Sequence, residues 1–101
     1  MRFLALEKLI NLHDGYRRRI KVDNLEVLLI QEENQIHIVS GRCPHMYFPL
    51  DNAELHNGFI YCPAHGFGFS LADGGHDGNS CESLALYQPI YEGNVVGIAI
   101  E

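Results

Sequence analysis

Apolar positions recur in short runs rich in β-branched and aromatic residues, broken by turn chemistry, and no run keeps a 3.6-residue period for three turns. The pattern predicts an all-β chain. Residues 16–22 and Leu25-Glu26-Val27-Leu28-Leu29-Ile30 flank Asp23-Asn24, a two-residue hairpin signal, and Glu32-Glu33-Asn34-Gln35 turns the chain into Ile36-His37-Ile38-Val39. Together these predict a three-stranded meander. Asn57-Gly58 precedes Phe59-Ile60-Tyr61, and Gly66-Phe67-Gly68-Phe69-Ser70 alternates aromatic with small residues, which predicts a hairpin with one face on a core. Leu84 to Tyr91 and Val95 to Ile100 flank Glu92-Gly93-Asn94 and predict a closing hairpin. Phe3 to Leu6 predicts a further strand, and Glu7 to Leu12 one helical turn or a loop. Asp73 to Ser80 reads as a loop; its acids resemble part of a calcium loop, but no Glu stands at the twelfth position.

With 101 residues, 47% of them hydrophobic, the chain fits a single domain over 1–101 that buries roughly 65% of its unfolded surface without a disulfide framework. No apolar run approaches the ~20 residues of a membrane helix, and Arg2, Glu7 and Lys8 charge the start where a secretion signal is apolar. A soluble, cytoplasmic protein is expected, in which an odd count of three cysteines favours metal ligation over disulfides.

Charge is unevenly spread. All seven Lys and Arg lie in residues 1–42 with six acids, whereas residues 43–101 hold seven acids and no basic residue. An acidic surface repels phosphate backbones and anionic lipid heads, which argues against nucleic acid and membrane partners and favours a basic protein partner. The run Arg17-Arg18-Arg19-Ile20-Lys21 is short and lacks interleaved aromatics apart from Tyr16, so it reads as the solvated face of a strand.

The candidate chemistry is Cys43-Pro44-His45 followed, after sixteen intervening residues, by Cys62-Pro63-Ala64-His65-Gly66. Each segment offers one thiolate and one imidazole, and each has a Pro that fixes φ and stiffens the turn. Stiff ligation lowers the rearrangement that accompanies a change of redox state. A Cys₂His₂ zinc site uses the same ligands, although its usual spacings pair Cys with Cys and His with His. A Cys-His nucleophile pair is the remaining alternative, with no evident third orienting residue. Cys81 reads as a free, buried thiol, and His13, His37, His56 and His76 as surface or loop residues without partners at ligand spacing.

The C-x-H, sixteen residues, C-x₂-H pattern resembles that of Rieske iron-sulfur proteins, in which two His replace two Cys on one iron of a [2Fe-2S] cluster. The resemblance extends to Leu50, to Gly58 and Phe69 around the second segment, and to the closing Leu86-Tyr87 and Glu92-Gly93-Asn94-Val95-Val96 pair. It implies a Rieske domain of stacked antiparallel sheets with a cluster-binding part at about 41–82. By the same resemblance Cys43 and Cys62 hold the inner iron, and His45 and His65 the outer one.

High-potential relatives carry an extra Cys in each ligand loop and two hydroxyl donors near the cluster; here Tyr47-Phe48 and Ala64 flank the ligands, and Phe67 and Phe69 stand at the hydroxyl positions. A potential at the low end of the Rieske range, roughly −150 mV, is expected. The family commonly has Gly where Tyr47 stands. Met46, Tyr47 and Phe48 are candidates for an apolar docking rim among acids such as Asp51 and Glu54.

The function implied is that of a monomeric Rieske-type ferredoxin, catalysing nothing alone. It would carry one electron from an NAD(P)H-dependent flavoprotein reductase to a terminal aromatic-ring oxygenase. Service to a diiron monooxygenase, a redox sensor and a zinc-stabilised interaction module are the alternatives. The small subunit of an assimilatory nitrite reductase resembles this fold but usually lacks the four ligands.

Overall fold

The computed structural model describes residues 2–22, 24–44, 47–63, 66, 68–75 and 83–100. Asp23, His45, Met46, Ala64, His65, Phe67 and residues 76–82, with His76 and Cys81 among them, lie outside that set. The strands are β1 (Arg2–Lys8), β2 (Arg17–Val22), β3 (Leu25–Glu32), β4 (Gln35–Ser40), β5 (Glu54–His56), β6 (Phe59–Tyr61), β7 (Gly68–Ser70), β8 (Leu86–Tyr87), β9 (Ile90–Glu92) and β10 (Val95–Ile100). They form three antiparallel sheets with strand orders β1-β10-β9, β2-β3-β4-β8 and β5-β6-β7.

The turn chemistry places the hairpins. Val22 pairs with Leu25 across a two-residue turn, and Glu32 with Gln35 across Glu33 and Asn34, whose φ values of 49° and 64° make the primed turn that suits strand twist. His56 pairs with Phe59 across Asn57 and Gly58, both also at positive φ.

The middle sheet is buried on both faces because β3 is apolar on both. Leu28 and Ile30 join Val39, Cys43, Leu50, Ile60, Cys62, Phe69 and Leu84 in one core cluster. Val27 and Leu29, which point the opposite way in a period-2 strand, join Leu6, Ile38 and Ile98 in another. Burying a Leu, Ile or Phe side chain contributes about 1.5–3 kcal/mol, so the continuous run in β3 stabilises both layers at once.

Several elements differ from the sequence-based expectation. The first strand extends to Lys8 through a register shift between Ala5 and Glu7, and the helical turn shrinks to a 3₁₀ turn at Leu9–Asn11. The stretch expected as one strand from Leu84 to Tyr91 is two: β8 pairs with β4, and after Gln88-Pro89 the chain joins the other sheet as β9. Proline has no N–H for a ladder, so the chain changes sheets there. The three-residue β5 was not evident in the pattern because its burial alternates around the lone Leu55. Among the described residues no helix is long and apolar enough to cross a membrane.

Candidate metal centre

Cys43 follows the bridge between Arg42 and Pro49, and Cys62 follows β6. Their relative exposures are 0% and 1%, and both belong to the core cluster that holds Leu50, Ile60 and Phe69. No disulfide joins them. The two segments close in the same way. Tyr47 N–H donates to the Cys43 carbonyl at 2.6 Å, and Gly66 N–H donates to the Cys62 carbonyl at 2.8 Å. Each closing residue is left-handed, with φ of 57° at Tyr47 and 71° at Gly66. At Gly66 that conformation costs nothing, whereas a residue with a Cβ loses about 1–2 kcal/mol there. Tyr47 carries the strain that its counterpart avoids.

Three arginines tie the first segment to the middle sheet. Arg17 and Arg19 pair with Ile30 and Leu28 in register, so their side chains lie on the face of β2 beside the cysteine-bearing core. Arg17 Nη1 donates to the carbonyls of Asp51 at 2.8 Å and Ala53 at 2.6 Å. Arg19 donates through Nε to both oxygens of Asp51 at 2.9 and 3.0 Å, through Nη1 to Glu26 at 2.7 Å, and through Nη2 to the Gly41 carbonyl at 2.5 Å. Gly41 leaves room for this: a Cβ there would lie 2.6 Å from Arg19 Nη1. Arg42 Nε donates to Glu26 at 2.9 Å, and its Nη1 donates to the Tyr47 carbonyl at 3.1 Å. The Arg19 guanidinium holds the Asp51 carboxyl below the usual carboxylate range, and Arg42 does the same for Glu26.

This corrects the reading of Arg17 to Lys21 as a solvated face, which describes Arg18 and Lys21 but not Arg17 or Arg19. Alternation along β2 was available as a signal; the acceptors at Asp51 and Ala53, more than thirty residues away, were not. It also revises the docking rim. Tyr47 and Phe48 are 71% and 43% exposed, as expected of a contact surface, but Asp51 is engaged by Arg19, leaving Glu54 as the exposed acid of the pair.

His13 and His56 are exposed; His37 on β4 is partly buried, and that burial lowers its pKa against the opposing pull of Glu32. The described residues contain no group of three or more His, Cys, Asp or Glu side chains able to hold a metal, His45 and His65 being outside them. The structure thus brings Cys43 and Cys62 into one core and leaves the imidazole half of the expected ligand set outside its description. Paired soft donors in an apolar core suit an iron-sulfur cluster, because a buried thiolate is costly until a cation neutralises it.

The Rieske [2Fe-2S] domain family matches residues 3–88. Apoptosis-inducing factor 3 of Mus musculus and that of Homo sapiens are each 30% identical over 79 residues, 77% of this chain and 13% of theirs, so the chain spans about an eighth of these curated relatives. Among solved structures, the ferredoxin of carbazole 1,9a-dioxygenase from Nocardioides aromaticivorans IC177 superposes with a TM-score of 0.83 at 22% identity, covering 98% of both chains. A ferredoxin solved in complex with the oxygenase of carbazole 1,9a-dioxygenase superposes with a TM-score of 0.81 at 21% identity, covering 95% of this chain and all of that one. These structures share the fold. The chain belongs to the Rieske [2Fe-2S] domain family, and its cofactor is a [2Fe-2S] cluster.

Proposed function

We propose that this protein is a one-electron carrier, a small Rieske-type ferredoxin that takes electrons from an NAD(P)H-dependent flavoprotein reductase and delivers them to a terminal aromatic-ring oxygenase. In this reading Cys43 and Cys62 hold one iron and His45 and His65 the other. The bound cluster supplies a one-electron couple; with two neutral imidazoles in place of two thiolates, its net charge is two units less negative than in an all-thiolate site, which favours reduction. The observation that carries the reading is the pairing of two fully buried cysteines at the heads of matched turns in one core.

The protein's own residues have distinct tasks. Leu50, Ile60 and Phe69 keep water from the cysteines. The prolines after each cysteine and the two N–H to carbonyl closures keep the ligand segments stiff. Tyr47 and Phe48 offer an exposed apolar contact beside the first segment, and the formal charge of −6 steers a basic partner. Phenyl rings at Phe67 and Phe69, where high-potential relatives have hydroxyls, place the potential at roughly −150 mV, the low end of the range. The protein acts as a cytoplasmic monomer and catalyses nothing alone. The partner assignment leans on the likeness to carbazole dioxygenase ferredoxins, one of them solved with its oxygenase.

The test is electron delivery. The dithionite-reduced protein, freed of reductant, is mixed anaerobically with ferricytochrome c, a basic one-electron acceptor, and with the oxygenase of carbazole 1,9a-dioxygenase. One electron per chain reaches the cytochrome, at a rate that falls as ionic strength rises, and the oxygenase is reduced as well. A reduced protein that passes no electron to either acceptor overturns the carrier reading, and delivery to the cytochrome alone overturns the oxygenase assignment.

A further inference from the structure

The two ligand segments both start at Cys-Pro and close alike but end on different residues, Tyr47 and Gly66, and the difference falls where Arg42 reaches. A left-handed closing residue is easy at Gly66 and strained at Tyr47, yet Tyr47 adopts φ of 57° all the same. Arg42 Nη1 grips the carbonyl of that residue, while Cys43 N–H bonds the next carbonyl, of Phe48, at 2.8 Å. The guanidinium is not free to leave. Glu26 holds its Nε, Arg19 holds Glu26, and Arg19 also binds Gly41 and Asp51, which bracket the segment on either side. A chain of alternating charges therefore runs from the stable middle sheet to the strained Tyr47 peptide of the first ligand turn.

We infer that Arg42 is the positioning residue of the first ligand turn: by holding the Tyr47 carbonyl it keeps the strained left-handed closure populated and so fixes where the turn presents its imidazole. The inference rests on the reading of Cys43 and His45 as cluster ligands. Arg42 acts on the turn through the Tyr47 carbonyl. Its effect passes through the backbone of Tyr47, so it vanishes when the strain is removed.

The experiment compares the cluster-loaded wild type with Arg42→Gln, Tyr47→Gly and the double variant. Three readouts are taken on the same samples: the EPR line shape after reduction, the reduction potential, and hydrogen exchange of the peptide spanning residues 43–49. Arg42→Gln speeds that exchange by about tenfold, broadens the EPR lines and shifts the potential; in the Tyr47→Gly background the same change does none of these. Unchanged exchange in Arg42→Gln overturns the inference. Equal effects in both backgrounds also overturn it, because Arg42 would then act as a charge and not through the turn. Exchange does not require the cluster. Faster exchange in a protein without a Rieske signal therefore rejects the ligand reading and keeps the hold on the turn, whereas a normal signal with unchanged exchange rejects the hold alone.

Discussion

Tyr47 and Gly66 are structural counterparts: each donates its N–H to the carbonyl of the cysteine four residues earlier, and each does so from the left-handed region, at φ of 57° and 71°. The shared closure sets Cys43 and Cys62 at the heads of turns of one size. It also locates the weak point of the site.

Replacing Tyr47 by Gly removes the left-handed strain, so Tyr47→Gly raises stability by about 1 kcal/mol after the larger chain entropy of Gly is counted. Urea unfolding of the two proteins at neutral pH measures it. A loss of stability would mean that the Tyr47 ring, although 71% exposed, packs more strongly than the strain costs.

Arg19 joins Glu26, Gly41 and Asp51, and its side chain is 24% exposed. Arg19→Ala strips Asp51 of its guanidinium donor and removes one donor each from Glu26, which keeps Arg42, and from the Gly41 carbonyl, which keeps Leu50 N–H; it is expected to destabilise the protein by about 2 kcal/mol, midway between exposed and buried ion pairs. Asp51→Asn, at a side chain 41% exposed, has the smaller effect. Equal urea midpoints for wild type and Arg19→Ala would remove the clamp from the account.

Glu7 ties the end of β1 to β2 by accepting from Tyr16 Oη at 2.5 Å, Asn11 Nδ2 at 3.0 Å, its neighbour Lys8 N–H at 2.7 Å and Arg18 Nη1 at 3.1 Å. These bonds, that from Tyr16 foremost, lower its pKa from 4.5 to about 2. A carboxyl held below its unfolded value stabilises fully above that value and loses the contribution as pH falls through the folded one. Glu7→Gln therefore lowers the urea midpoint at neutral pH, and the gap to wild type closes as the pH drops from about 4.5 towards 2. A gap that stays constant over that window would show that the charge of Glu7 is irrelevant.

Phe69 is fully buried in the core that holds both cysteines. Phe69→Tyr brings a hydroxyl to a position where high-potential relatives have one, and a donor to sulfur favours the more negative, reduced state. For a bond worth ~1.4 kcal/mol the potential rises by about 60 mV. Voltammetry decides; an unchanged potential would detach Phe69 from the cluster surroundings.

Local chemistry made much of the fold legible. Asp23-Asn24 signals the first hairpin, in which Val22 pairs with Leu25, and Glu92-Gly93-Asn94 the last, where Glu92 itself pairs with Val95 and leaves Gly93-Asn94 as the turn. The run Val27 to Ile30 proclaimed a strand, and the Cys43 and Cys62 segments a metal centre, because proline-stiffened ligands leave a short signature. What escaped depends on distant partners. Nothing near Arg19 in the chain announces Asp51, 32 residues on, and nothing near Tyr47 announces the Arg42 bond that holds its carbonyl. The division of residues 84–91 escaped because an apolar stretch reads as one strand until Pro89 is weighed as the point where a ladder must end.

The most direct test is an EPR spectrum of the dithionite-reduced protein, taken with iron and acid-labile sulfide analysis. The ligand set Cys43, His45, Cys62 and His65 predicts a rhombic signal with the low mean g that two imidazole ligands impose, and two irons and two sulfides per chain. An EPR-silent, colourless protein holding one zinc per chain would contradict the account and leave a structural metal domain in its place.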